Sequence, residues 1–114
     1  MSDREAQLTQ LYEAFNRQDI EAVLVALHPD VDWPDVLEGK RRHGRDDVRA
    51  YWLGQFKLIR SELAPLSFDD LPDGRVRVLV IQTVRGVDGQ LWSEGKVEHV
   101  YSFDGDLISR MESA

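Results

Sequence analysis

The apolar period of this chain changes once, near residue 60, and that change limits the folds open to it. Before it, apolar residues recur three and four apart. Leu8, Leu11, Tyr12 and Phe15 make one such face, as an amphipathic helix requires. Asp19 precedes a second set, Ile20, Val23, Leu24 and Leu27, and can cap that helix. Pro29 should stop it, because the residue before proline avoids helical angles. After an extended piece, VDWPDV (31–36), the stretch GRDDVRAYWLGQFKLI (44–59) reads as a third helix. Asp46 and Asp47 lie in its first turn, where negative charge suits the helix dipole. Val48, Tyr51, Trp52, Gln55, Phe56 and Ile59 form its inner face.

From residue 62 the period is two. SELAPLSFDDL reads as a strand whose Pro65 marks an edge or a bulge. RVRVLVIQTVRG puts Val76, Val78, Val80, Gln82 and Val84 on one face and Arg75, Arg77 and Arg85 on the other. LWSEGKVEHVYSF and DLISRMES follow, separated by the hairpin signal Asp104-Gly105. Three helices followed by about four antiparallel strands make an α+β fold. It is a curved sheet with helices on one face, and such sheets enclose small-molecule hollows.

Composition narrows the functions. The 114 residues fit one domain, 1–114, with 42% hydrophobic content and no apolar run long enough to span a membrane. A net charge of -7 repels phosphate backbones, so nucleic acid is not an expected partner. The absence of cysteine excludes disulfides, thiolate metal sites and a cysteine nucleophile. His28, His43 and His99 lack metal-ligand spacing, so neither metal nor other cofactor is expected. The opening MSDREAQLTQ lacks the basic-then-apolar pattern of a secretion signal, which makes the cytoplasm the expected compartment.

Several residues could carry chemistry. Asp35, after a Trp-Pro pair, is either a loop carboxylate or a base at a pocket mouth. His99 shares a strand face with Val97, Tyr101 and Phe103, so it is either a satisfied core histidine or a pocket group. Trp33 and Trp52 suit a core or a pocket wall. Gln82 interrupts a valine face and needs a partner if buried. Arg110 and Glu112 alternate with Ser109 and Met111, and a one-residue slip in hairpin register decides which set faces inward. KRRHGR reads as a solvated basic loop, with an attraction for an anionic substrate as the alternative.

Three stretches, LYEAFNRQDIEAVLVALHPDVDW, HGRDDVRAYW and VEHVYSFDGDLISRME, resemble the SnoaL-like branch of the nuclear transport factor 2-like superfamily, which includes ketosteroid isomerase. The resemblance covers nearly the whole chain. It implies a cone-shaped, cystatin-like α+β roll with a deep pocket for a small apolar ligand, and a homodimer through the outer sheet face. Asp35 falls where the isomerases place a general base. Their oxyanion tyrosine falls at Leu11, one residue from Tyr12, and their protonated aspartic acid at His99. Their supporting tyrosine on the third helix falls at Trp52. The base position is kept and the oxyanion hole is not, so steroid isomerase activity is not expected. The resemblance also places Ile108, Arg110 and Glu112 on the cavity side. Asp35 and His99 are thus the catalytic candidates, and Tyr12, Trp33, Trp52, Phe56, Gln82, Tyr101, Arg110 and Glu112 the ligand-binding ones. The expected activity is proton transfer of isomerase or cyclase type on a carbonyl compound. Two alternatives are a noncatalytic binding or dimerisation module, and epoxide hydrolysis using Asp35 and Arg110.

Overall fold

A computed structural model describes residues 3–35 and 38–113. Ser2, which with Glu5 makes a capping-box pattern in the sequence, and Val36, the end of the VDWPDV stretch, lie outside the described residues. The elements run α1 (Asp3–Asn16), α2 (Ile20–Leu24), β1 (Leu27–Asp35), β2 (Lys40–His43), α3 (Arg45–Leu58), β3 (Ile59–Asp70), β4 (Val76–Gly86), β5 (Leu91–Asp104) and β6 (Leu107–Ser113). The order of the one sheet is β2-β1-β6-β5-β4-β3. The β1–β6 pair is parallel and the other pairs are antiparallel. This is the expected α+β plan with a mixed, curved sheet. No helix among the described residues is long and apolar enough to cross a membrane.

Two boundaries differ from the sequence reading. The second helix ends at Leu24, and Leu27 already belongs to β1, opposite Ile108 of β6. Pro29 therefore sits within a strand, in the irregular stretch between Leu27 and Asp32. It lies outside the part of β1 that pairs with β2, so its missing N–H breaks no ladder there. The second difference is KRRH, read as a loop and found as strand β2, antiparallel to β1. Adjacent strand residues point to opposite faces. Arg41 thus meets Asp32 at 2.6 Å on one face, and Arg42 meets Asp35 at 2.8 Å on the other.

Bulges interrupt the register between Pro65 and Ser67, between Val84 and Arg85, and between Ser102 and Phe103. A bulge bends its strand and increases twist, which turns the sheet into a concave roll. The third bulge also reverses an expectation. Phe103 pairs with Ile108 but Ser102 pairs with Arg110, so Ser109 is an extra residue. Alternation resets there. Ile108 and Met111 are buried, whereas Arg110 and Glu112 face outward. Arg110 holds Asp32 at 2.6 Å and Glu112 at 2.9 Å, and Arg41 donates to the Met111 carbonyl at 2.7 Å. Asp32 thereby ties β2, β1 and β6 together.

The helices lie across the concave face. Leu8, Leu11, Tyr12 and Ala14 of α1, Val23 and Leu24 of α2, and Val48 and Trp52 of α3 are buried against Val76, Val78, Val80, Tyr101, Ile108 and Met111. At its end, α1 is clipped to the sheet. Asn16 donates from Nδ2 to the Leu63 carbonyl at 2.9 Å and accepts the Leu63 N–H at Oδ1 at 2.8 Å. β3 is an edge strand, so this amide acts as the missing neighbour for one residue of the edge. Replacing Asn16 with Ala is expected to lower stability by about 1–3 kcal/mol, because it strands two backbone groups. Urea denaturation measures this, and a loss below about 0.5 kcal/mol would show that water replaces the clip.

Candidate functional site

The hollow between helices and sheet is a cavity of about 80 Å³. That exceeds the roughly 10–15 Å³ one water requires and falls short of the about 300 Å³ of drug-sized pockets. Its floor comes from β5 and β6, where His99, Tyr101, Met111 and Ser113 project inward. These residues form two cross-strand pairs, His99 opposite Ser113 and Tyr101 opposite Met111. Ser61, Leu63 and Gln82 extend the wall along β3 and β4. Trp33 and Pro34 of β1 close one side, and Leu11, Tyr12 and Phe15 of α1 and Tyr51, Trp52 and Gln55 of α3 close the other. Trp33 and Trp52 meet edge to face with centroids 5.3 Å apart, and Phe15 meets Trp52 at 5.8 Å. Such contacts between large rings fix the wall.

Three polar side chains form a chain inside this apolar shell. The Tyr101 hydroxyl donates to Tyr12 Oη at 2.8 Å, and Tyr12 Oη lies 2.9 Å from His99 Nδ1. All three residues are buried. Burial pulls the His99 imidazole down to about 4, so it is neutral near pH 7. Burial also pushes the hydroxyls of Tyr12 and Tyr101 well up, so both keep their protons. The tautomer follows from counting donors. If Nδ1 carried the proton, Tyr12 Oη would accept from both His99 and Tyr101, and its own hydroxyl proton would be left without an acceptor in a buried position, which is costly. With Tyr101 donating to Tyr12 and Tyr12 donating to Nδ1, every hydroxyl proton is satisfied. The imidazole proton then sits on Nε2, which has no hydrogen-bond partner among the described residues. His99 thus offers the cavity one N–H donor.

A second unspent group lies further along the wall. Ser61 is 8% exposed, and its Oγ is a buried polar atom with no hydrogen-bond partner among the described residues. The sequence reading passed over Ser61. The available signal was its place in the β3 alternation Ile59, Ser61, Leu63, where a hydroxyl interrupts an apolar face. Leu11, Gln55 and Met111 are also wall residues that the sequence reading did not assign to ligand contact.

The expected site residues divide. Tyr12, Trp33, Trp52, Gln82, His99 and Tyr101 converge on the cavity. Tyr12 is one residue from the place the resemblance gives the oxyanion tyrosine, and its hydroxyl reaches His99 because Leu11 and Tyr12 both face the hollow. Phe56 lies outside the lining and packs on Phe15 with centroids 5.6 Å apart. Arg110 and Glu112 lie outside it too, for the bulge at Ser109 turns them to the other face.

Asp35 is 1% exposed but does not line the cavity. It accepts from Arg42 Nε at 3.0 Å and from the Glu38 N–H at 3.0 Å. The Asp35 carboxylate in turn holds the Arg42 guanidinium above its usual range. Arg42 also lies over the Tyr51 ring, 5.6 Å from its centroid. Asp35, Arg42, Tyr51 and Gln55 line a separate cleft, so Tyr51 and Gln55 are the partition between that cleft and the cavity. The two catalytic candidates therefore do not meet: Asp35 has taken Arg42, and His99 has taken Tyr12. Asp35 and Arg110 do not converge either, since Arg110 is on Asp32. Among the described residues no group of three or more His, Asp or Glu side chains could hold a metal.

A SnoaL-like domain model matches residues 8–111. The chain belongs to the SnoaL-like family. A solved structure of a nuclear transport factor 2-like protein of unknown function from Burkholderia pseudomallei is 33% identical, with a TM-score of 0.86 over 100% of this chain and 91% of that one. TerC, crystallised with polyporic acid, is 24% identical with a TM-score of 0.85 over 99% of this chain and 91% of its own. A candidate polyketide cyclase from Xanthomonas campestris is 23% identical with a TM-score of 0.81, covering 96% of this chain and 88% of its own. At those two identities the likeness shows the fold alone. No protein of curated function matches the chain.

Burial of neutral His99 has a pH signature. The unfolded chain takes up its proton below about 6.5, and the folded protein holds out until about 4. Stability is therefore full at pH 7 and falls as pH drops through this window, by up to about 3 kcal/mol from His99 alone. Urea midpoints of wild type and His99→Gln between pH 7 and pH 4 isolate the contribution. Parallel pH profiles would show that His99 is not held neutral.

Proposed function

We propose that this SnoaL-like domain holds a small, mostly apolar carbonyl compound in its cavity and polarises the carbonyl through the Nε2–H of neutral His99. The observation carrying this reading is the Tyr101–Tyr12–His99 chain, which ends in one unspent donor inside an aromatic hollow. A fixed neutral donor in a water-poor site stabilises an oxygen that gains negative charge without having to reorganise. Tyr12 and Tyr101 act as positioning residues, setting the tautomer and orientation of the ring. With a folded value of about 4, His99 is too weak a base to remove a proton next to a carbonyl at pH 7. Its role is that of donor. Similarity to a candidate polyketide cyclase is in keeping with enolate chemistry of this class.

Proton abstraction then needs a carboxylate, and Asp35 is the one adjoining the cavity. Tyr51 and Gln55, which separate Asp35 from it, are both half-buried side chains on one helix face. This supports a second, catalytic reading: movement of these two side chains exposes Asp35 to the ligand as general base, with Arg42 held against its carboxylate.

Acetophenone and ethylbenzene separate binding from catalysis. The ketone is expected to bind up to about tenfold more tightly than the hydrocarbon, the worth of one hydrogen bond. His99→Phe should erase that preference, and calorimetry reads both. Deuterium exchange at the acetophenone methyl group reports proton abstraction. Acceleration by wild type and its loss in Asp35→Asn would establish the base. Equal exchange in the two would remove Asp35 from the mechanism, and no acceleration by either would leave a binding protein.

A further inference from the structure

The β3–β4 register sets Arg60 directly opposite Arg85. Like charges directly across an antiparallel pair destabilise it. Neither guanidinium has a carboxylate within ion-pair distance among the described residues. Arg60 donates to the carbonyls of Phe56 and Ile59, and Arg85 to the Gly89 carbonyl at 3.3 Å. Other sheet arginines are paired: Arg77 with Asp69 at 3.4 Å, Arg41 with Asp32 at 2.6 Å, and Arg110 with Asp32 at 2.6 Å. In a chain of net charge -7, an arginine pair facing itself is out of keeping with the rest of the surface.

Arg60 and Arg85 line a groove of about 310 Å³ where the end of α1, the start of β3 and the β4–β5 turn meet. Arg17 adds a third cation, and its nearest carboxylate is Asp19, at 3.9 Å. Glu62 is the one carboxylate among the lining residues. The bulge between Val84 and Arg85 sits at this groove, and bulges commonly re-aim a side chain. Ser61 lines both this groove and the cavity, and it alone does so. Its Oγ is the buried side-chain polar atom without a partner among the described residues.

We propose that Arg60, Arg85 and Arg17 form an anion site for the carboxylate of a small molecule whose apolar body occupies the cavity, with Ser61 hydrogen-bonding the ligand where the two spaces meet. A carboxylate between two guanidiniums relieves their repulsion and accepts paired, charge-assisted hydrogen bonds. The ligand class becomes a compact aromatic or alicyclic acid. Its location inside the cavity rests on the pocket reading above; the anion site does not.

Phenylacetate and its methyl ester test this by nuclear magnetic resonance titration. The acid should bind about tenfold more tightly than the ester, with that advantage falling as salt rises. The double variant Arg60→Gln/Arg85→Gln should lose the advantage and keep the ester affinity. An acid that binds no better than its ester, or a preference that survives the double variant, overturns the proposal. Ester-induced shifts at His99 and Trp52 report the cavity separately, and their absence would overturn the pocket reading and the cavity location with it. Acetate alone then decides the anion site. Saturable shifts of the Arg60 and Arg85 side-chain Nε–H groups, lost in the variant, support it, and unmoved signals overturn it.

Discussion

The fold depends on how α1 is held over the concave sheet. Two polar clips do this, the Tyr12 hydroxyl on His99 and Tyr101 and the Asn16 amide on the backbone of Leu63. Apolar packing alone has no direction and would draw the helix down until the hollow closed. The hydrogen bonds have defined lengths and angles, so they set a stand-off as well as an attachment. The cavity exists because the helix is anchored at points on β5 and β3. The same anchor on β5 decides which nitrogen of His99 is left to face a ligand. Fold and chemistry thus share one group of atoms.

The electrostatic frame on the opposite side is built from paired opposites. Asp32 and Asp35 are an odd number of residues apart on β1, so they point to opposite faces, as do the adjacent Arg41 and Arg42 on β2. Each acid has its own arginine on its own face. The outward pair is extended by Arg110 into a tie across three strands. The inward pair holds Asp35 buried just behind the cavity wall. An acid so held is first a structural part, and any reaction it performs must leave that grip intact.

Much of this was legible in the chain, and the failures have physical causes. The change of apolar period near residue 60 gave the order of helices and strands. The shared face of His99 and Tyr101 followed from strand alternation, and the inward facing of Trp52 from the helical period. KRRH escaped because a four-residue edge strand of charged residues has no apolar alternation. Its only sign is that its arginines match the acids of VDWPD in parity. Helix α2 was read too long because Leu27 fits both a helical period and the start of a strand, and pairing with Ile108 decides the matter. Ser61 carries no motif, and only its missing partner marks it.

The facing of Arg110 and Glu112 could not be read from spacing, because it hangs on a single inserted residue. Ser109 is that residue. Upstream of it β6 keeps one parity with β5, and downstream the other. Were Ser109 to pair in its turn, with the strand length unchanged, strict alternation from Ile108 would turn Arg110 and Glu112 into the hollow in place of Met111 and Ser113. The interior of this scaffold can therefore pass from thioether and hydroxyl to a charged pair by a shift of register, without any change of side-chain identity. Such a shift sits in the last strand, next to a two-residue turn, where the rest of the sheet has little to rearrange. Diversity of chemistry within this architecture has a source in strand register as well as in substitution.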